Sequence, residues 1–255
     1  MRIVRALVLA VVVAAGGSAA AQEKAPEKIP FEGGAFTITE TADLDKLLAY
    51  DGRQIARNYV VYFNRIIELS GTKVALFDVG NGGNACGSAA VIAWKTETGL
   101  QSDTVGEDCG APPAAATGDK LYFVPYLLPG ATAPVHAWSP KERLTVAGQL
   151  AYTPQPGTKW ADLETATPPY IVDAFANRDV YKAAEKLLGA SLNDVATGLS
   201  VGSGFEKTSS GILYGHGCVP HACGSADAFM AIDPRGKKLY FAQQGDNRRL
   251  PLGRS

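Results

Sequence analysis

The chain is poor in the residues that most often carry chemistry. Among 255 residues there are 3 histidines, 4 cysteines and 2 methionines. Neither sign of charge dominates, since 24 basic residues face 25 acidic ones. That balance supplies no footprint for nucleic acid or for an anionic membrane surface, so partners are chosen by local shape. Beyond residue 21 no stretch approaches the ~20 apolar residues a membrane span needs. Gly202-Ser203-Gly204 is not followed by Lys-Ser or Lys-Thr, so no phosphate loop is indicated. Carboxylates pair only as near neighbours, Asp43 with Asp45 and Glu107 with Asp108. Such pairs suit a helix start and a solvated loop better than an acid–base dyad.

The first residues differ from the rest. Met1-Arg2-Ile3-Val4-Arg5 gives a positive start, Ala6 to Ala15 an apolar run, and Ala19-Ala20-Ala21 a small-residue cleavage pattern. The expectation is an export signal over residues 1–21, cleaved after Ala21, and a periplasmic protein; a retained anchor is the alternative. No cysteine follows the cleavage point, which excludes lipid attachment there. Taking 21 from 255 leaves 234 residues, enough for one large domain or two modest ones. Without Arg2 and Arg5 there remain 22 basic against 25 acidic residues, a net charge of −3.

Cys86, Cys109, Cys218 and Cys223 are even in number, and in an exported chain that suggests disulfides. Four cysteines allow three pairings, of which sequence proximity favours Cys86–Cys109 and Cys218–Cys223.

Organisation follows from punctuation. Residues 22–30 read as a polar leader. Thr41 opens a helical pattern with Leu44, Leu47 and Leu48 on one face, stopped by Gly52. Apolar runs at 59–63, 74–77, 89–94, 121–124 and 135–138, separated by Gly, Asn and Pro clusters, argue for antiparallel sheet. Asn81 to Asn84 and Ala111 to Ala114 are loops on the same grounds. Thr153-Pro-Gln-Pro-Gly-Thr158 is the best domain boundary, with a second hinge at Thr167-Pro-Pro169. Then Phe175, Val180, Tyr181, Ala184, Leu187 and Leu188 recur at helical spacing, and Gly189 stands where a left-handed cap belongs. Strands follow at 212–214, 228–232 and 238–242, with a turn at Asp233-Pro-Arg-Gly236. The fold class is therefore α+β: a β-rich region over 31–158, then a helix on a small antiparallel sheet over 159–255. One pentapeptide, Ala-Cys-Gly-Ser-Ala, occurs at both 85–89 and 222–226.

The densest constellation is His216-Gly-Cys218-Val-Pro220-His221-Ala-Cys223. Two imidazoles and two thiolates could hold zinc or copper. If the cysteines are oxidised, the same residues form a closed loop that presents one imidazole, with Pro220 fixing φ before His221. An imidazole offers both donor and acceptor and takes charge beside carboxylates, which suits an acidic cleft. Gly198-Leu-Ser200-Val-Gly202 matches a nucleophile elbow, but that motif needs a strand before it and a helix after it. His136, beside Trp138 in an apolar run, reads as a packed residue.

Cys218-Val219-Pro220-His221-Ala222-Cys223 resembles the Cys-x-Pro-His-x-Cys loop of the inhibitor of vertebrate lysozyme family. The surroundings agree: an upstream amphipathic helix, Ile212-Leu-Tyr214 leading in, Gly224-Ser225 leading out, and a strand–turn–strand unit afterwards. The resemblance covers roughly residues 170–245. It implies a non-enzymatic exported bacterial protein, without cofactor or metal, whose partner is c-type lysozyme or a related muramidase. It also implies that His221 enters the cleft and engages the catalytic carboxylates. Where the family commonly has Asp after the histidine, this chain has Ala222. Other readings are an envelope binding protein with the same fold but a different partner, a His/Cys metal-binding protein, and an esterase built on Ser200. Residues 31–158 carry no such loop.

Overall fold

The computed structural model describes residues 27–83, 86–165 and 168–244. The expected export signal, residues 22–26 of the leader, and Thr167 lie outside them.

Residues 27–151 form three four-stranded antiparallel sheets, each a run of consecutive strands. The first contains β1 (Glu27–Phe31), β2 (Gly34–Glu40), β3 (Lys46–Tyr50) and β4 (Arg53–Asn58). The second contains β5 (Val60–Leu69), β6 (Thr72–Gly80), β7 (Ala89–Thr96) and β8 (Gly99–Val105). The third contains β9 (Ala114–Ala116), β10 (Leu121–Phe123), β11 (Thr132–Ser139) and β12 (Arg143–Ala151).

The second sheet lies between the other two, and its sequence shows why. Successive side chains on a strand point to opposite faces. On β6 and β7, Ala75, Phe77, Val91 and Ala93 pack with Phe36 and Leu48 of the first sheet. Their neighbours Val74, Leu76, Ile92 and Trp94 pack with Leu121, Phe123 and Trp138 of the third. A strand buried on both faces must be apolar at nearly every position, as these runs are. The bulge at Asn64 on β5 reverses the alternation. Val61 and Phe63 before it feed the first core, and Ile67 and Leu69 after it feed the second.

Two expectations fail here. The chain enters β1 at Glu27, inside the stretch read as a leader; an edge position tolerates Pro30, which has no N–H to give a further strand. The segment opened by Thr41 is a turn and a strand, not a helix. Thr41 and Asp45 close a turn by a backbone bond of 2.7 Å, Leu44 is exposed at φ +67, and Arg57 clamps Asp43 and Asp45. Leu48 and Tyr50 then face the core with Phe36, a period of two that the leucine spacing concealed.

The remainder is one sheet covered by helices on one face. Its strands are β13 (Val201–Gly202), β14 (Glu206–Lys207), β15 (Leu213–Cys218), β16 (Asp227–Asp233) and β17 (Lys238–Gln243). They run in the order β13-β15-β16-β17, with β14 also on β15. Among the described residues the expected helix is α2 (Arg178–Leu188), and α1 (Asp162–Thr165), α3 (Leu192–Gly198) and a 3-10 turn at Ile171–Ala176 join it. Asn177 starts α2 by accepting from the amides of Asp179 and Val180, and Val180, Ala184 and Leu188 bury one stripe. Gly189 ends α2 at φ +53 and ψ −124, which is outside the left-handed helical region expected for it. Met230, Ile232 and Leu239 meet the helices from the sheet.

The two regions touch. Tyr152 stacks on Tyr181 at 5.3 Å, Asn193 donates to the Pro129 carbonyl at 3.2 Å, and Leu128 packs against the C-terminal core. Among the described residues no helix is long and apolar enough to cross a membrane.

Candidate functional site

β15 runs out at Cys218 and β16 begins at Asp227, so the residues between them are the end of a hairpin. The inward positions of β15 are Leu213, Gly215 and Gly217. A side chain at Gly217 would sit 2.9 Å from the Leu199 backbone, so the segment after α3 lies directly on the strand leading to the loop. The loop thus leaves a tightly backed strand.

Within the loop, Cys218 and Cys223 are joined by a disulfide, with Cα atoms 4.9 Å apart. The Val219 amide donates to the Ala226 carbonyl at 3.0 Å, extending the strand ladder one step. The Ala222 amide donates to the Val219 carbonyl at 3.0 Å and closes a four-residue turn. Pro220 is second in that turn and His221 third, at φ +64. Proline followed by a residue of positive φ is the pattern of a type II turn, whose third position favours glycine. A histidine held there is at the outer corner in a sparsely populated backbone region, as displayed functional residues often are. Its side chain is exposed, and no hydrogen bond ties the imidazole to the described residues.

The return arm is equally fixed. The Ala222 carbonyl accepts from the amides of Ser225 and Ala226 and from the Ser225 hydroxyl. The Asp227 carboxylate accepts from the Gly224 amide at 2.7 Å. A loop already ordered pays less entropy on binding. Asp227 escaped the reading of the sequence, because a carboxylate that reaches back three residues to a loop amide leaves no short signature.

Of the other candidates, His216 lies exposed on β15, opposite Phe229. The disulfide withdraws both sulfurs as thiolate ligands, and among the described residues no three His, Cys, Asp or Glu gather as a metal site requires. Ser200 follows α3 and donates back to the Thr197 carbonyl at 2.7 Å, so the strand-then-helix context of a nucleophile elbow is missing. His136 pairs with Val146 across β11 and β12. Cys86 and Cys109 are bonded beside an open hollow of about 220 Å³, which Glu107 and Asp108 help to line.

Comparison with known proteins divides the chain where the architecture does. Residues 32–151 match the family model described as the Y4bG N-terminal domain. Residues 179–251 match the model described as inhibitor of vertebrate lysozyme. The chain is 23% identical over 207 residues to "Uncharacterized protein y4bG" of Sinorhizobium fredii (strain NBRC 101917 / NGR234), covering 81% of this chain and 76% of that one. No solved structure matches it.

Proposed function

We propose, from the match of residues 179–251 to the inhibitor of vertebrate lysozyme family, that this protein is exported and inhibits c-type lysozyme by inserting its His221 loop into the active-site cleft. The observation that carries the reading is the position of His221: exposed, at the corner of a hydrogen-bonded turn, on a loop closed by Cys218 and Cys223. Lysozyme is a retaining glycosidase, and it hydrolyses its substrate with two carboxylates a few ångströms apart. An imidazole between them donates to one and accepts from the other, or carries a proton that both stabilise. The plug needs no chemistry of its own; it excludes sugar from the cleft, and the protein is a binder rather than an enzyme. Two disulfides suit an oxidising compartment, here the periplasm. Ala222 adds no charge beside His221, so the contact inside the cleft rests on the imidazole.

The test is an inhibition assay of the mature protein against c-type, g-type and bacterial muramidases, with His221→Ala alongside. The native protein inhibits the c-type enzyme, and the substitution weakens inhibition by about 100-fold, the scale of a central anchor. Failure to inhibit any muramidase, or inhibition untouched by the substitution, overturns the reading.

A further inference from the structure

A sheet with helices on one face ordinarily turns a polar face to water. The first sheet of the N-terminal stack largely does so: its outward rows carry Lys28, Thr37 and Gln54, then Thr39 and Arg57, with Leu47 and the buried Ala49 among them. The C-terminal sheet does not. Leu213, Ala228, Met230, Ile232 and Leu239 face its helices. The opposite face carries two cross-strand rows, Tyr214–Ala231–Tyr240 and His216–Phe229–Ala242. Within β15, β16 and β17 neither row holds a formal charge when histidine is neutral; charge stands at the border, where Glu206 on β14 pairs with Tyr214 and accepts from its hydroxyl, and where Asp233 pairs with Lys238 in the next outward row. Phe229 is 38% exposed and Tyr240 45%. Tyr214 and Phe229 lie with ring centroids 6.3 Å apart and form one ridge, Tyr240 forms the other, and the two alanines floor the trough between them.

This trough is continuous with the loop. The row of His216 and Phe229 is followed by the pair Cys218 and Asp227, from which the loop springs. Size also argues that the loop does not bind alone. A stable protein–protein interface takes about 20–30 residues a side, and the loop supplies six. Interface cores are enriched in tyrosine and phenylalanine and depleted in charge, with polar residues at the rim, which describes the middle of this face with Glu206, Asp233 and Lys238 around it.

We propose that the aromatic face of the C-terminal sheet is the second half of the inhibitory surface, gripping the rim beside the muramidase cleft that the His221 loop enters. The proposal rests on the reading of the loop given above. The loop blocks the cleft, and the face supplies much of the affinity.

The two parts separate experimentally. Dissociation constants and full inhibition curves are measured with a vertebrate c-type lysozyme for the full chain and for Phe229→Ala, Tyr240→Ala, His221→Ala and, as a control on the polar sheet, Thr37→Ala. Melting temperatures confirm folding. Phe229→Ala and Tyr240→Ala are expected to weaken binding about tenfold each yet still inhibit completely at saturation, with Thr37→Ala unchanged. Binding within twofold of the native protein for both aromatic variants, with inhibition lost in His221→Ala, overturns the aromatic face and leaves the loop standing. If His221→Ala inhibits as strongly as the native protein, or if the native chain binds no lysozyme, the reading of the loop itself fails and this proposal with it. Should Phe229→Ala unfold, Tyr240→Ala, altered at an exposed ring, decides the matter.

Discussion

The tetrapeptide Cys-Gly-Ser-Ala occurs at 86–89, where it opens a disulfide loop, and again at 223–226, where it ends one, and each time it leads into an inner strand of a sheet. The surroundings are opposite. Around the first copy backbone lies on backbone: Ala111 donates to the Ser88 carbonyl at 2.9 Å, and Gly110 rests against Gly87. Around the second copy, nothing lies within 4 Å of where a side chain on Gly224 would stand. The bridge Cys86–Cys109 encloses the whole β7–β8 hairpin, whereas Cys218–Cys223 encloses four residues. Identical residues thus serve architecture in one place and display in the other. What decides is how much chain each bridge closes and what packs against it.

Removing the bridges one at a time gives the widest separation. In the chain-entropy account a bridge stabilises by restricting the unfolded chain, more so for a longer loop. Replacing Cys86 and Cys109 by serine is expected to cost about 3.5 kcal/mol, and replacing Cys218 and Cys223 only about 2. Urea unfolding of the two double variants measures both. The second pair keeps its turn through the bonds of Val219, Ala222 and Gly224, so its folded structure changes little. Equal losses for the two pairs would break the contrast between them.

The glycines sharpen it further. A side chain at Gly110 would stand 2.6 Å from the Gly87 carbonyl carbon, at φ +89. Gly110→Ala therefore combines backbone strain with overpacking, and about 3 kcal/mol is expected to be lost. Gly224 has a similar φ of +87 but open space around it, so Gly224→Ala should cost about 1 kcal/mol. Thermal denaturation of the pair tests this; comparable costs would mean that crowding at Gly110 is relieved by small shifts.

Much of this was legible in the sequence, and the failures have physical causes. The strands of the middle sheet could be read as strands, because Val74-Ala-Leu-Phe77 and Ala89-Val-Ile-Ala-Trp94 are short apolar runs; that another sheet covers each face could not. β12 went unread although Leu144, Val146 and Leu150 stand two or four apart as a strand face would, and every one of its positions is exposed. Leu44, Leu47 and Leu48 counterfeited a helix because a turn leucine happened to stand three and four residues ahead of two strand leucines. The histidine loop could be read because its residues are adjacent in sequence. The aromatic face could not, since His216 and Phe229 meet only through strand register. The residues that match the Y4bG N-terminal domain model, 32–151, offered no short motif to the sequence reading.

The smallest expected effect bears most directly on the loop. His221 occupies, at φ +64, a position where a side chain costs about 1–2 kcal/mol and glycine nothing. Glycine also frees the unfolded chain, which returns about 0.4–1 kcal/mol of that gain. His221→Gly is therefore expected to be more stable than the native protein by about 0.5 kcal/mol, and His221→Ala to show no such gain because alanine keeps the Cβ. Both lack the imidazole and both should lose inhibition. Stability and activity would then move in opposite directions at one residue, as expected where strain is held in place to display a functional group. Denaturant midpoints of the two variants, read beside their inhibition curves, are the check. A glycine variant less stable than the alanine variant would show that the turn holds no strain at His221, and that the histidine is displayed by the disulfide and hydrogen bonds alone.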